Sequence, residues 1–293
     1  MSPKDLLVAM IVILAWGVNF VVIKLGLHGV PPMLLGALRF ALAALPAVFV
    51  KRPQIALRWL FAYGITISFG QFAFLFYAMS VGMPAGLASL VLQAQAFFTL
   101  IFAAMFLGER IRAANVAGLL IAAAGLAVIG MQGGHSMTAL GFILTLAASS
   151  MWALGNVVSK RMGKVDLLSL VVWGSMIPPI PFFVMSLIFE GPARIESSLA
   201  HIPLISVFAI AYLSFVATIV GYSLWGRLLT RYPAAQVAPF SLLVPVIGIA
   251  SAAVFLGEEM TSVQIAGAAL VMAGLVVNVF GGRIAQRLGL AAR

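Results

Sequence analysis

The chain contains no cysteine, and of its 293 residues only seven are acidic and 8% are charged. Without cysteine there is no disulfide and no thiolate metal site, and the compartment stays open on that ground. So little charge excludes a soluble globular domain of this size, which needs far more polar surface. The acids are Asp5, Glu109, Asp166, Glu190, Glu196, Glu258 and Glu259, and none falls inside a long apolar run. A proton relay through a buried carboxylate is therefore missing, as is a counter-charge for a cationic solute. His28, His135 and His201 sit in connections at scattered spacings that suit no metal site. With no cysteine and no mid-span acid or histidine there is no nucleophile–base pair for an intramembrane enzyme, and no cofactor is expected.

What is present is apolar. Hydrophobic residues make up 63% of the chain, and the mean hydropathy is +1.17. Proline, glycine and charge divide the sequence into ten apolar stretches, each of a length that crosses a hydrocarbon core of about 30 Å as a helix. These spans 1 to 10 are expected near Leu6–Leu25, Met33–Val50, Leu60–Met79, Ala85–Leu107, Ala114–Met131, Ala139–Val158, Leu167–Phe189, Pro203–Leu224, Ala235–Leu256 and Val263–Phe280. None alternates polar and apolar residues with period two, which excludes a membrane β-barrel. The first stretch carries Trp16 and Asn19 where a signal-peptide cleavage site belongs, so it reads as a retained span.

A net charge of +10 invites a nucleic-acid reading, but its distribution argues against one. With the N-terminus placed inside, fourteen of the 17 basic residues fall on the inner side: Lys4, Lys51, Arg52, Arg58, Arg110, Arg112, Lys160, Arg161, Lys164, Arg227, Arg231, Arg283, Arg287 and Arg293. Only Lys24 and Arg194 fall outside, and Arg39 lies within a span. This bias puts both termini in the cytoplasm, with the basic loops meeting anionic lipid headgroups.

The sequence also repeats itself. Trp16–Gly17–Val18–Asn19 with Lys24 returns as Trp152–Ala153–Leu154–Gly155–Asn156 with Lys160, and Phe106–Leu107–Gly108–Glu109 returns as Phe255–Leu256–Gly257–Glu258. Gly118 and Gly125 follow the first of these glutamates as Gly267 and Gly274 follow the second. Two units, 1–132 and 138–293, each with five spans, must enter the membrane from opposite sides. Such inverted repeats are the signature of alternating-access carriers, with a solute site between the halves near mid-depth.

These features, together with Leu38–Arg39–Phe40 in span 2 and the Leu-Gly-Glu that closes spans 4 and 9, resemble the EamA branch of the drug/metabolite transporter superfamily over essentially the whole chain. The aromatic-rich, weakly charged make-up is most similar to the YddG-type exporters of aromatic and other neutral amino acids. The resemblance implies a bacterial-type inner membrane protein working in the export direction. Pro245 in span 9 aligns with Ala96 in span 4, so a proline is expected in one half only.

The candidate site follows from polar side chains on helix faces. Thr145, Ser149, Trp152, Asn156 and Ser159 recur at three- and four-residue steps and form a stripe on span 6. It reads as a cavity wall, against the plainer reading of packing glue between helices. Trp16 and Asn19 are its counterpart in span 1. Span 4 carries Ser89, Gln93, Gln95 and Thr99; Gln93 and Gln95 are about 200° apart on an α-helix, so Ser89 with Gln93, or Gln95 with Thr99, faces the solute. Span 3 offers Ser68, Gln71 and Tyr77, and span 8 offers Ser214, Thr218, Tyr222 and Trp225, the last of which also suits an interfacial anchor. Arg39, as an intramembrane charge, contacts a substrate carboxylate or ties backbone carbonyls. Pro245 and Gly248 suggest a hinge or a fixed kink in span 9. Gly118, Ala122 and Gly125, with Gly267, Gly274 and Gly281, form small faces for helix packing or a dimer interface.

The expected function is a carrier of small neutral or zwitterionic solutes, foremost neutral amino acids, without coupling through a buried carboxylate. The alternatives are an exporter of other metabolites or drugs, or a gated channel-like facilitator. Expected partners are the small solute and membrane lipid, in a monomer or homodimer, with no nucleic acid.

Overall fold

A computed structural model describes residues 1–132 and 137–287; His135 and Arg293, singled out above, lie outside them. Among the described residues nine helical segments are long and apolar enough to cross a membrane: Pro3–Leu27, Leu57–Ser80, Ala85–Leu107, Ala113–Gly130, Ala139–Met162, Leu167–Phe189, Leu204–Arg231, Ala238–Leu256 and Ser262–Gly281. They correspond to spans 1 and 3 to 10. Span 2 is shorter, Pro32–Val48, because Pro46 tightens its last turn into a 3₁₀ segment at Leu45–Val48. An amphipathic helix, Pro192–Ala200, lies in the connection between spans 7 and 8.

Helix starts follow local chemistry. The Ser2 hydroxyl accepts from the Asp5 N–H at the head of span 1, Thr138 accepts from the Gly141 N–H at span 6, and Asp166 accepts from the Ser169 N–H at span 7. Spans 4 and 9 both stop at a left-handed glycine, Gly108 at φ 67° and Gly257 at φ 63°. A side chain at either would meet open space, so the glycine is there for its backbone conformation.

Three kinds of irregularity interrupt the spans. Span 3 passes through a π-helical stretch at Gly64–Gly70 and span 8 through another at Tyr212–Val220. Span 4 narrows to 3₁₀ geometry at Leu92–Ala94, and span 9 does so at Ala238–Leu242. Span 7 breaks between Gly174 and Pro179, ahead of Pro181. The first two kinds fall in corresponding spans of the two halves.

Side-chain bonds define the two ends of the bundle. At the N-terminal end Asp5 of span 1 meets Arg231 and Tyr232 at the end of span 8, and Lys160 of span 6 meets Glu109 beyond span 4. At the far end Lys24 donates to the Met79 carbonyl, Glu190 accepts from the N–H groups of Met33 and Leu34, and Glu258 accepts from those of Ala85 and Gly86. The far end is tightly packed, with Val30, Leu34, Leu35, Phe76, Met79, Met83 and Leu87 all 2% exposed or less. Side chains such as Val48, Phe49 and Phe189 are instead turned outward, as they are on a surface that meets lipid.

Spans 5 and 10 form the closest helix pair. A carbon added to Gly118 would stand 2.7 Å from the Gly274 carbonyl oxygen, and one on Gly125 would stand 2.6 Å from that of Gly267. Asn115 donates to Asn278 at 2.7 Å across the same seam. The small faces expected from the sequence thus pack on each other within one chain. In membranes such seams are held by close van der Waals approach rather than by hydrophobic driving force.

Candidate functional site

A cavity of about 360 Å³ occupies the middle of the bundle, within the size range of small-ligand sites. It is walled by spans 1, 2, 3, 4, 6, 8 and 9 with the head of span 7. Its deeper wall, around Ser89 and Leu75, abuts the packed far end. Ser159, Leu167, Trp225 and Leu229, from segments that end or begin at the N-terminal end, also line it. The cavity therefore runs from mid-bundle toward the N-terminal end.

Arg39 is the dominant charge. It is 2% exposed, and its guanidinium stacks 3.9 Å from the Phe72 ring centroid, with Phe40 at 5.0 Å. Nη2 donates to the Thr218 hydroxyl at 3.2 Å, while Nε and Nη1 are buried with no partner. The π-helical stretch of span 8 builds this support: Thr218 comes from it, and Ser214 from the same stretch donates to the Arg39 carbonyl oxygen at 2.9 Å. Wide turns of this type recur at functional positions in helices.

Two acceptors in the cavity wall are also unmatched. Asn19 Oδ1 and Gln71 Oε1 are buried and without a hydrogen-bond partner. Unsatisfied buried polar groups are costly, so each asks for an explanation. Two unpaired nitrogens of a cation and two unpaired carbonyl oxygens thus belong to residues that line one chamber, each of these atoms being itself buried in the wall.

The rest of the wall is aromatic or tethered. The Trp16 ring centroid lies 5.2 Å from that of Tyr222 and 5.3 Å from that of Trp225, and Trp16 Nε1 donates to the Ala217 carbonyl at 2.9 Å. Asn156 donates to Gln95 Oε1 at 2.9 Å and to the Thr99 hydroxyl at 3.0 Å, bridging spans 6 and 4.

Of the sequence candidates, Trp16, Asn19, Arg39, Gln71, Gln93, Gln95, Trp152, Asn156 and Tyr222 all line the cavity. Gln93 and Gln95 do so together with Ser89, because the 3₁₀ stretch at Leu92–Ala94 brings the two glutamines to roughly 120° apart. Thr99 and Thr218 stand behind the wall, holding Asn156 and Arg39. Ser149 is fully buried and donates to the Leu146 carbonyl of its own helix; Thr145 does the same to Gly141. The span 6 stripe thus divides, with Trp152, Asn156 and Ser159 in the cavity. Tyr77 lies away from it and is 44% exposed. Gly248 packs against Ser89 of span 4, where an added carbon would stand 2.5 Å from the Ser89 Cβ, and Pro245 lies next to it in the helix that follows the 3₁₀ stretch. Sequence reasoning did not single out Tyr63, Phe72, Leu75 or Ser241, all in the wall. Phe72, two residues after the π-helical run, carried no polar signal. A second hollow, lined by Val22, Leu25, Phe208 and Phe215, opens between spans 1 and 8 and offers no charged group to orient a solute.

The model of the EamA-like transporter family matches residues 4–131 and again 139–280, one match per half. The chain is 52% identical over 97% of its length to a protein of Salmonella typhimurium named a probable amino-acid metabolite efflux pump, of which 97% is covered. A protein of Escherichia coli with the same name is 52% identical, with 96% of each chain covered. A probable terminal-alkyne amino-acid exporter of Streptantibioticus cattleyicolor is 28% identical, with 90% of each covered. A solved structure described only as a protein crystal structure aligns with TM-score 0.64 at 22% identity, covering 98% of this chain and 99% of that one; this likeness speaks for the fold alone. The chain belongs to the EamA-like transporter family, and it is a multi-span membrane transporter.

Proposed function

We propose that the protein exports neutral amino acids by alternating access through the central cavity. The observation that carries this reading is the set of unpaired groups in one chamber. Arg39 Nε and Nη1 are donors without acceptors, and Asn19 Oδ1 and Gln71 Oε1 are acceptors without donors. A zwitterion satisfies both once these side chains turn toward it, its carboxylate accepting from Arg39 and its ammonium donating to the two amides. The ring cluster of Trp16, Tyr222 and Trp225 takes an apolar or aromatic side chain. The names of the relatives from Salmonella and Escherichia coli point to the same solute class.

The two family matches, one per half, and the paired irregularities of spans 3 with 8 and 4 with 9 support an inverted pair of repeats. The basic residues gathered at the N-terminal end argue that this end is cytoplasmic. On that orientation the cavity faces the cytoplasm, the side from which an exporter loads. No carboxylate lies at mid-span, and the buried Asp5 is tied to Arg231 and Tyr232 at the N-terminal end, so movement follows the solute gradient or exchange.

Counterflow tests the reading. Proteoliposomes preloaded with phenylalanine should take up labelled phenylalanine saturably and without need of a pH gradient. N-acetyl-phenylalanine and phenylalanine methyl ester, each lacking one head-group charge, should compete at least tenfold more weakly. Equal competition by all three would refute head-group recognition by Arg39, Asn19 and Gln71.

A further inference from the structure

Spans 4 and 9 are treated differently at their two ends. At the far end the first turns of span 4 pack along span 9, with Gly86 against Ile249 and Ala252 and Gly248 against Ser89. Toward the N-terminal end the Gln95–Leu107 part of span 4 turns instead to span 6, and the 3₁₀ start of span 9 turns to spans 1 and 10. The pair is closed at one end and splayed at the other.

One glutamate stands at each end, in the same repeat position. Glu258, after span 9, accepts from both leading N–H groups of span 4, Oε1 from Ala85 at 2.7 Å and Oε2 from Gly86 at 2.9 Å. This two-point, charge-assisted contact joins the two halves at the closed end. Glu109, after span 4, makes no such contact; it pairs with Lys160 at 2.9 Å, with both side chains 47% exposed. Lys160 is itself repeated as Lys24, which now donates to the Met79 carbonyl. The sequence at the head of span 4, Pro84–Ala85–Gly86, recurs as Pro233–Ala234–Ala235, again with small residues, at the short helix Ala234–Val237 that leads into span 9. Span 1 packs on span 9 as span 6 packs on span 4, so Lys24 relates to Glu258 as Lys160 does to Glu109.

Building on the alternating-access reading, we infer that Glu258 and Glu109 are paired latches that exchange roles during transport. In the form described here Glu258 locks the far end of spans 4 and 9, and Glu109 is parked on Lys160. In the opposite form Glu109 locks the N-terminal end by accepting from the backbone at the head of span 9, and Glu258 is parked on Lys24. The exchange conserves the number of latched and parked carboxylates. The two forms then differ little in electrostatic energy, as a carrier that must visit both requires. It also gives two of the seven acids of this chain a task that needs no proton.

Because the chain has no cysteine, spin-label pairs can be placed at will on the full-length protein in lipid nanodiscs: Ser80→Cys with Glu259→Cys for the far end, and Arg110→Cys with Thr230→Cys for the N-terminal end. Glu258→Gln is expected to lengthen far-end distances and shorten the others, raising the ratio of far-end-open to far-end-closed molecules about tenfold. Glu109→Gln should move the ratio the other way, since it removes a latch from the opposite form and only an exposed ion pair from this one. The double variant should return close to the unsubstituted ratio, a recovery that misfolding does not produce. If Glu258→Gln leaves the far end closed, if both single variants shift the same way, or if every sample gives one unchanged distance, the latch exchange is wrong. No solute enters this measurement, so it stands or falls separately from the amino-acid assignment.

Discussion

The two halves of the chain share a skeleton and divide the chemistry. Spans 3 and 8 both widen to π geometry, spans 4 and 9 both narrow to 3₁₀ and both end at a left-handed glycine. Yet the polar groups of the cavity come mostly from the first half, as Asn19, Arg39, Gln71, Gln93 and Gln95. The second half contributes Trp152, Tyr222 and Trp225, with Asn156, Ser159 and Ser241 as further polar members. Where the first half places Gln95 and Ala96, the second places Val244 and Pro245. The halves thus match in backbone geometry, which on the alternating-access reading both need in order to move. On the same reading, solute contacts serve both forms and need not be duplicated.

The most damaging test strikes the shared skeleton. Gly125→Leu forces a side chain into a gap where even one carbon would stand 2.6 Å from the Gly267 carbonyl oxygen. Backbone cannot yield as a flexible side chain does, so overpacking should cost about 3 kcal/mol or more. The expected result is loss of monodisperse protein on extraction, or a clear fall in Tm. Gly267→Leu should behave the same way, because the seam is reciprocal. A substantial difference between the two would break the equivalence of the halves at spans 5 and 10.

Next comes the charge that only one half has. Arg39→Gln keeps a donor but removes the cation, and should lower kcat/KM for phenylalanine counterflow about 100-fold, from the loss of about 2–3 kcal/mol of charged hydrogen bonding. Helix content and extraction should stay near those of the unsubstituted protein, since Thr218 retains its bond to Leu213. A variant that binds solute normally but unfolds at lower temperature would instead make Arg39 a tie between spans 2 and 8. A smaller, selective effect is expected from the aromatic half. Trp225→Ala removes one ring from the cluster around Trp16 and should reduce phenylalanine transport about fivefold relative to alanine transport, the scale of one aromatic pair. Equal losses for both solutes would argue that the rings shape the cavity as a whole.

Much of the fold was legible in the sequence because a hydrocarbon environment leaves the backbone few options. Nine of the ten expected segments stand as long apolar helices, and most boundaries fall close to the proline, glycine or charge that marked them. Span 8 is the clearest exception, continuing to Arg231 well past Leu224, since its amphipathic last turns carry Trp225, Arg227 and Arg231 rather than a continuous apolar run. The π and 3₁₀ stretches were not legible. They add or remove a fraction of a turn without any residue type that demands it, and Gly64–Gly70 reads like any other apolar run. That blindness had a direct cost in span 4, where α-helical angles made Gln93 and Gln95 alternatives. The wall of the cavity was more readable than its supports: Thr99 and Thr218 look like solute contacts in sequence because a hydroxyl has the same appearance whether it faces a ligand or a neighbouring side chain.

Ser149 is the finest probe of that last distinction. By spacing it belongs to the same stripe as Trp152 and Asn156, so a purely sequence-based view gives Ser149→Ala and Asn156→Ala comparable effects. The surroundings of the two side chains differ. The Ser149 hydroxyl is satisfied at 2.7 Å by the Leu146 carbonyl one turn back, an oxygen that already has its helical role. Removing it leaves no orphaned donor and opens a space smaller than a methyl group. The cost should be near the 0.6 kcal/mol average of polar contacts between membrane helices, or less, which keeps KM within about threefold of the unsubstituted value. Asn156→Ala strips two bonds that join the halves and leaves Gln95 Oε1 without its partner in the cavity wall, so its effect should exceed that of Ser149→Ala in the same counterflow assay. If Ser149→Ala proves the more harmful of the two, the division between cavity wall and helix interior along span 6 must be redrawn.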